Sequence, residues 1–166
     1  MQAGFPVLLV EDNPDDAFFV KRAFASLALN NPLMSVEDGA QAIAYLRGQG
    51  KYADRKVYPV PGLVIADLSM PHLTGFDLIQ WMREDSDTKR IPIIVLSASD
   101  LQRDVNRAYE LGANAYMVKP TGYVALERLI RSIAEFCDAS EKPTAIERLN
   151  CEDSFRNRAK PTWQIR

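Results

Sequence analysis

The sequence contains little that would suit a nucleic-acid-binding, secreted or membrane-spanning protein. Its 20 Lys and Arg residues face 22 Asp and Glu residues, so the excess of positive charge that binds nucleic acid is missing. The first apolar run stops at Glu11 and follows no basic segment, unlike a secretory signal. No run approaches the roughly 18 apolar residues of a membrane span. We therefore expect a cytoplasmic protein that binds neither nucleic acid nor membrane.

Several motifs of common enzyme classes are also missing. The two cysteines, Cys137 and Cys151, have neither CxxC spacing nor a nearby histidine, which favours free thiols over a disulfide or a metal site. There is no GxxxxGK[ST] or GxGxxG motif to bind a nucleotide cofactor. Ser97-Ala98-Ser99 is not the nucleophile elbow of a hydrolase. We expect no organic cofactor.

The chain does contain five short apolar runs, each followed by a helical pattern. The runs cover residues 5–10, 33–36, 62–66, 91–96 and 113–118 and are continuously apolar, as in parallel strands covered on both faces. Helical spacing of apolar residues covers 17–28, 101–111 and 126–137, and weaker patterns cover 38–47 and 75–83. The prediction is one α/β domain with a doubly wound, five-stranded parallel sheet and helices on both faces.

Two segments fall outside this repeat. Residues 48–61 contain two glycines and two prolines, and we expect them to form an exposed loop. We assign residues 1–137 to the domain and 138–166 to a C-terminal tail. In the tail, Thr144 and Glu147 have the spacing of a capping box, which would start a short helix.

Polar residues follow four of the predicted strands where each strand ends. Glu11 and Asp12 follow the first strand, Asp67 the third, Ser97 the fourth and Lys119 the fifth. Ligands of open parallel sheets bind beyond these carboxyl ends, so the topology predicts one shared site. Any one of these residues is more often a solvated loop residue or a helix cap, and only their conjunction favours a site.

The charges of this set indicate its chemistry. Three carboxylates and one lysine leave an excess of negative charge that a proton or a cation must offset. Mg²⁺ suits oxygen ligands and keeps waters for a phosphate, so we predict a metal site of Glu11, Asp12, Asp67 and the carbonyl of Ser69. Asp67 is the predicted nucleophile because it follows the central strand, and it would form an acyl phosphate. Lys119 and Ser97 would bind phosphoryl oxygens.

These segments resemble the hallmark segments of response-regulator receiver domains. The similar segments are Val7-Leu8-Leu9-Val10-Glu11-Asp12-Asn13, Asp67-Leu68-Ser69-Met70-Pro71 followed by Gly75, Ser97-Ala98 and Lys119-Pro120. The resemblance covers residues 5–137 and implies a flavodoxin-like fold with strand order 2-1-3-4-5. Tyr52-Ala53-Asp54 and residues 108–116 are similar to stand-alone receivers that partner phytochrome-like sensor kinases.

The resemblance implies a single-domain response regulator without an attached output domain. A sensor histidine kinase would phosphorylate Asp67 in a Mg²⁺-dependent step, and the protein would be a phosphoacceptor switch, not an enzyme that turns over other substrates. Ser97 and Tyr116 would form the switch, and Lys119-Pro120 would have a cis peptide bond. Family members often form homodimers through the fourth helix, fifth strand and fifth helix.

Two other functions are alternatives to the phosphoacceptor switch. An aspartyl-phosphate hydrolase of the haloacid-dehalogenase type has an acid two residues after its nucleophile, and here that residue is Ser69. A degenerate receiver that only binds partners would have lost the acidic residues or the lysine. His72, the single histidine, is expected to be an exposed loop residue, and Trp81 a packing or surface residue.

Overall fold

The computed structural model describes residues 4–139 and, of the side chains, those up to Phe136. The five strands are β1 (Val7–Val10), β2 (Leu33–Val36), β3 (Leu63–Ala66), β4 (Ile93–Ser97) and β5 (Ala115–Val118). The five helices are α1 (Pro14–Ser26), α2 (Gly39–Arg47), α3 (Gly75–Glu84), α4 (Gln102–Glu110) and α5 (Tyr123–Ala139). All ten predicted elements are confirmed. The thiols of Cys137 and Cys151 and the predicted tail helix lie outside the described residues.

The strands form one parallel sheet in the order β2-β1-β3-β4-β5, as predicted. Strands β1, β4 and β5 begin two residues later than their apolar runs. In β1 and β4 a proline, Pro6 or Pro92, lies directly before the strand and has no N–H to donate to a neighbour. The predicted strand starts were wrong there because apolar character does not reveal where hydrogen bonding begins.

Each central strand contributes alternate side chains to two cores, one on each face of the sheet. Leu8 and Val10 of β1 pack with α2 and α3, while Val7 and Leu9 pack with α1 and α5. All four side chains are almost completely buried. Burial on both faces explains why the strands are continuously apolar in sequence. Within residues 4–139, no helix combines the length and the apolar character needed to cross a bilayer.

The prediction of an exposed loop over residues 48–61 was wrong. This segment contains a 3₁₀ helix (Gly50–Tyr52), and it buries Tyr52 and Val60 in the core beside α2. The rings of Tyr45, Tyr52 and Tyr58 pack against one another with centroids 5.1–6.0 Å apart. Burial raises the pKa of Tyr45 to about 12, and its hydroxyl donates a hydrogen bond to the carbonyl of Pro59.

Arg55 fixes this segment to the end of α2. Its guanidinium donates to the carbonyls of Tyr45 and Leu46 at 2.8 Å and to that of Tyr58 at 3.2 Å. The final carbonyls of a helix have no partner inside the helix, and here the arginine provides one. The charged residues of this segment predict solvent exposure, but Arg55 is half-buried and its guanidinium donates hydrogen bonds to main-chain oxygens.

Replacing Arg55 by alanine should lower the free energy of unfolding by about 1–3 kcal/mol, since carbonyls bound by a charged donor lose their partner. Urea denaturation measures the loss. Arg103→Ala is the control, because that side chain is 81% exposed and forms an ion pair with its neighbour Asp104 at 3.8 Å. Equal stability of the two variants would contradict the role assigned to Arg55.

Candidate functional site

Main-chain hydrogen bonds bring the predicted site residues to one edge of the sheet. The N–H of Glu11 donates to Val36, and the N–H of Asp67 donates to Val10 at 3.0 Å. The N–H of Lys119 donates to the carbonyl of Ser97 at 2.8 Å. The main-chain hydrogen bonds of the sheet therefore continue to the first residue after β1, β3 and β5. They fix the backbone positions from which these three side chains extend.

Three carboxylates meet at this edge. Glu11, Asp12 and Asp67 each place one oxygen within 4.8 Å of the others. Glu11 and Asp67 are buried, at 3% and 7% exposure, whereas Asp12 is exposed. One Asp67 oxygen accepts the N–H of Leu68 at 2.8 Å. The arrangement leaves a cluster of acidic oxygens that is buried on one side and open to solvent on the other.

Lys119 lies against the buried side of this cluster. Its Nζ is 2.7 Å from Glu11 Oε2, 2.8 Å from Asp16 Oδ2 and 3.6 Å from Asp67 Oδ2. Sequence reasoning brought Lys119, Glu11 and Asp67 together correctly but missed Asp16. Asp16 belongs to the first turn of α1, so a search for polar residues directly after each strand does not find it. Asp16 follows Asp12 by four residues, and this spacing could have indicated it.

The electrostatics of the site follow from this crowding. Burial raises the pKa of Glu11 above its usual value, although the hydrogen bond from Lys119 opposes the shift. Burial acts to lower the pKa of Lys119, but the hydrogen bonds to Asp16 and Glu11 and the charge of Asp67 outweigh it. The pKa of Lys119 is therefore raised, so the amine stays protonated at neutral pH. Three carboxylates surround the ammonium group and Asp12 adds a fourth negative charge nearby, so the site has an excess of negative charge.

Residues 7–133 match the family described as response regulator receiver domain. The chain belongs to this family. Response regulator Rcp1 of Synechocystis sp. is 32% identical over 130 residues, which cover 78% of this chain and 86% of that one.

Two solved structures are similar over most of their length. The phosphorylated cyanobacterial phytochrome response regulator RcpA has a TM-score of 0.78 and 32% identity, covering 86% of this chain and 100% of that one. The Mn²⁺-bound form of Rcp1 has a TM-score of 0.75 and 30% identity, covering 84% and 99%. These relatives agree with the resemblance found in the sequence, including the link to phytochrome-associated stand-alone response regulators.

In this receiver domain Ser97 and Tyr116 are connected through Ser99. Ser97 is fully buried, and its Oγ accepts the N–H of Ser99 at 3.3 Å. The Tyr116 hydroxyl donates to the carbonyl of Ser99 at 2.8 Å. The Ser99 hydroxyl donates to Asp104 of α4 at 2.6 Å. The predicted switch pair is thus joined by one residue that also contacts α4.

The predicted cis peptide bond between Lys119 and Pro120 was wrong. Residues 4–139 contain no cis peptide bond, so this bond is trans. The trans form is intrinsically favoured before proline by about 0.5–1 kcal/mol. Lys119 reaches its three carboxylates with the bond in this form.

Two other residues near the site agree with their predictions. His72 is exposed in the β3–α3 loop, with a positive φ of 65°. Trp81 is half-buried, packs against the core and lies under the guanidinium of Arg47. Ser69 is exposed two residues after Asp67. Asn13 caps α1 directly before Pro14.

Gly75 sets the position of the Asp67 main chain. A Cβ at Gly75 would lie 2.3 Å from the Asp67 carbonyl oxygen and 2.8 Å from the Leu68 Cα. Both atoms belong to the backbone and cannot rotate away. Only glycine therefore lets α3 start this close to the loop that carries Asp67.

Gly75→Ala should lower the free energy of unfolding by about 1–3 kcal/mol, because the added methyl group overpacks the β3–α3 junction. Chemical denaturation gives the value. Gln80→Ala, at an exposed position on the same helix, is the control and should have little effect. If Gly75→Ala unfolds like the control, the close approach does not constrain Asp67.

Proposed function

We propose that the protein is a response regulator that accepts a phosphoryl group on Asp67 from a sensor histidine kinase in a Mg²⁺-dependent step. The observation that carries this proposal is the position of Asp67 beside both an acidic pair and Lys119. Glu11, Asp12 and Asp67 are within reach of one cation, and the ammonium is 3.6 Å from an Asp67 oxygen. Such an arrangement suits a group that needs both a metal ion and a fixed positive charge to neutralise it.

The step is a phosphoryl transfer between two side chains. An oxygen of Asp67 forms a bond to phosphorus while the P–N bond of the donor phosphohistidine breaks. The imidazole leaves with the bonding electron pair and takes up a proton from water. Little covalent chemistry is required of the other residues, which position the phosphoryl group and neutralise its charge.

The acidic cluster fits a hard divalent ion. Mg²⁺ prefers carboxylate and carbonyl oxygens at about 2.0–2.1 Å, so its protein ligands lie at most about 4.2 Å apart. The observed limit of 4.8 Å is close enough for a small side-chain rotation or for one contact through a water. Glu11, Asp12 and Asp67, with the carbonyl of Ser69, would hold the ion. When bound, the ion neutralises phosphoryl oxygens and orients the incoming group.

Lys119 and Ser97 would bind oxygens of the phosphoryl group once it is attached to Asp67. Lys119 is already 3.6 Å from an Asp67 oxygen, and its raised pKa keeps the positive charge available. The Ser97 hydroxyl lies at the end of the neighbouring strand and would donate to a phosphoryl oxygen. In turning, it would release the N–H of Ser99 and disturb the contacts of Ser99 with Tyr116 and α4. The protein acts in this account as a phosphoacceptor switch and not as an enzyme with turnover on other substrates.

The partner in this proposal is a sensor histidine kinase of the phytochrome-like class. Its support is the similarity to RcpA, a cyanobacterial phytochrome response regulator that is 32% identical and covers 86% of this chain. A homodimer through α4, β5 and α5 also stays a prediction. Leu101, Tyr109 and Val118 near this face are 44–50% exposed, which is the apolar surface that such contact would cover. The receiver domain would span residues 1–137 of a cytoplasmic protein.

The hydrolase alternative is less well supported than the receiver. The position where a hydrolase has its second acid is occupied by Ser69, whose side chain is exposed. The nucleophile also follows β3, whereas that class places it after the first strand of its sheet. A degenerate receiver is equally poorly supported, because Glu11, Asp12, Asp67 and Lys119 all lie in one cluster.

Acetyl phosphate and Mg²⁺ should add one phosphoryl unit to the wild type, and Asp67→Asn should add none. Intact-mass spectrometry measures the labile product, and a chelator should prevent its formation because the metal ion is removed. Asp15→Asn, which removes an exposed carboxylate of α1 instead, should be labelled like the wild type. Equal labelling of wild type and Asp67→Asn would exclude Asp67 as the acceptor.

Ser97→Ala should still accept a phosphoryl group, but the response of Tyr116 and α4 should be reduced. The reason is that the Ser97 hydroxyl accepts the N–H of Ser99, which in turn contacts Tyr116 and α4. Amide chemical shifts of β5 and α4 with and without acetyl phosphate report the response. Ser132→Ala, an exposed hydroxyl on α5, should respond like the wild type. An undiminished response in Ser97→Ala would rule out this route.

A further inference from the structure

We infer that Asp16 competes with the incoming phosphoryl group for Lys119, and that it thereby slows the phosphorylation of Asp67. This inference rests on the proposed function and assigns a regulatory role to a residue outside the set predicted from the sequence. Asp16 contacts Lys119 directly at 2.8 Å and has no place among the metal ligands.

The hydrogen bonds of Lys119 show why a competition exists. A lysine ammonium has three N–H donors. Two of them make short bonds, to Glu11 at 2.7 Å and to Asp16 at 2.8 Å, while the Asp67 oxygen lies at 3.6 Å. The contact with Asp67 is an ion pair longer than a good hydrogen bond. The third N–H can donate to a phosphoryl oxygen only when the ammonium moves toward Asp67, and this movement stretches the two short bonds until one of them breaks.

The burial of the two carboxylates decides which bond is given up. The Glu11 side chain is 2% exposed, and without Lys119 it would be a buried charge with no cation beside it. One of its oxygens also accepts the N–H of Asn13, which holds the carboxylate in place. The Asp16 side chain is 41% exposed, so water can replace the ammonium at little cost. Asp16 is therefore the partner that Lys119 leaves.

The surroundings of Asp16 allow this exchange without a backbone change. Asp16 lies in the first turn of α1, where the Asn13 side chain accepts its N–H at 3.2 Å and fixes the helix start. Its carboxylate and Lys119 border a cavity of about 270 Å³ between α1 and α5, with Phe19 and Tyr123 among its walls. This opening gives the released carboxylate access to water while α1 stays in place.

Asp16 lowers the rate of phosphorylation in two ways. Its bond stabilises the resting position of Lys119, and its negative charge repels a phosphoryl group that itself brings a charge of about −1.5 to −2. Removing the carboxylate should therefore speed the reaction. A partly exposed ion pair of this kind corresponds to a change of roughly two- to fivefold.

The test compares initial rates of phosphorylation by acetyl phosphate with Mg²⁺. Asp16→Asn and Asp16→Ala should be phosphorylated roughly two to five times faster than the wild type. Asp15→Asn is the matched control, since it removes the same charge from the same helical turn. The Asp15 side chain is exposed and makes no ion pair within the described part of the chain. Because damage to the fold would slow the reaction, acceleration separates the proposed competition from a purely structural role.

A second measurement does not depend on rates. Phosphorylation of the wild type should shift the carboxyl ¹³C resonance of Asp16 in NMR spectra, because this carboxylate exchanges the ammonium of Lys119 for water. Asp15→Asn, which keeps the Asp16 carboxylate, should show the same shift. An unchanged Asp16 resonance in the phosphorylated wild type would contradict the exchange of partners.

The outcomes separate this inference from the proposed function. If Asp16→Asn and Asp16→Ala react no faster than Asp15→Asn, or slower than the wild type, Asp16 does not compete for Lys119, and the receiver function stands. If wild type, Asp15→Asn and both Asp16 variants all remain unlabelled, the proposed function fails, and the role of Asp16 fails with it.

Discussion

The ammonium group of Lys119 lies among three carboxylates, 2.7 Å from Glu11, 2.8 Å from Asp16 and 3.6 Å from Asp67. Glu11 and Asp67 are buried at the end of the sheet, and without this cation their charges would be uncompensated. One ammonium does not balance the carboxylates that surround it, and Asp12 adds a further negative charge. A divalent cation would reduce this excess and would itself bind the oxygens of an anionic phosphoryl group. The balance of charge thus connects the fold to the proposed chemistry.

Most of this arrangement could be predicted from the sequence because a parallel sheet places the ends of its strands together. Glu11, Asp67 and Lys119 each follow a strand directly, and their main-chain N–H groups continue the ladders. Once the apolar runs are recognised as parallel strands, the shared edge follows from the topology, whereas the order of the strands is what the family resemblance implies. The side chains of these three residues must then lie at this edge of the sheet. The family comparison agrees with this reading over residues 7–133.

The errors concern features that a residue pattern does not encode. Asp16 was missed because it reaches the site from a helix, and helical acids near an N-terminus usually only complement the helix dipole. The glycines, prolines and charges of segment 48–61 predict an exposed loop, but Arg55 binds the carbonyls at the end of α2. In these two cases a tertiary contact outweighs the local sequence. The cis bond at Lys119-Pro120 is what the family resemblance implies and follows from no contact in the chain, and the bond is trans.

The most direct test of the central claim locates the phosphoryl group on the chain. Borohydride reduces an aspartyl phosphate to homoserine, which peptide sequencing by mass spectrometry identifies at a single position. After treatment with acetyl phosphate and Mg²⁺, the account predicts homoserine at position 67 and unmodified aspartate at positions 12 and 16. Homoserine at position 12 or 16, or no homoserine anywhere on the chain, would contradict the assignment of Asp67 as the acceptor beside the acidic pair and Lys119.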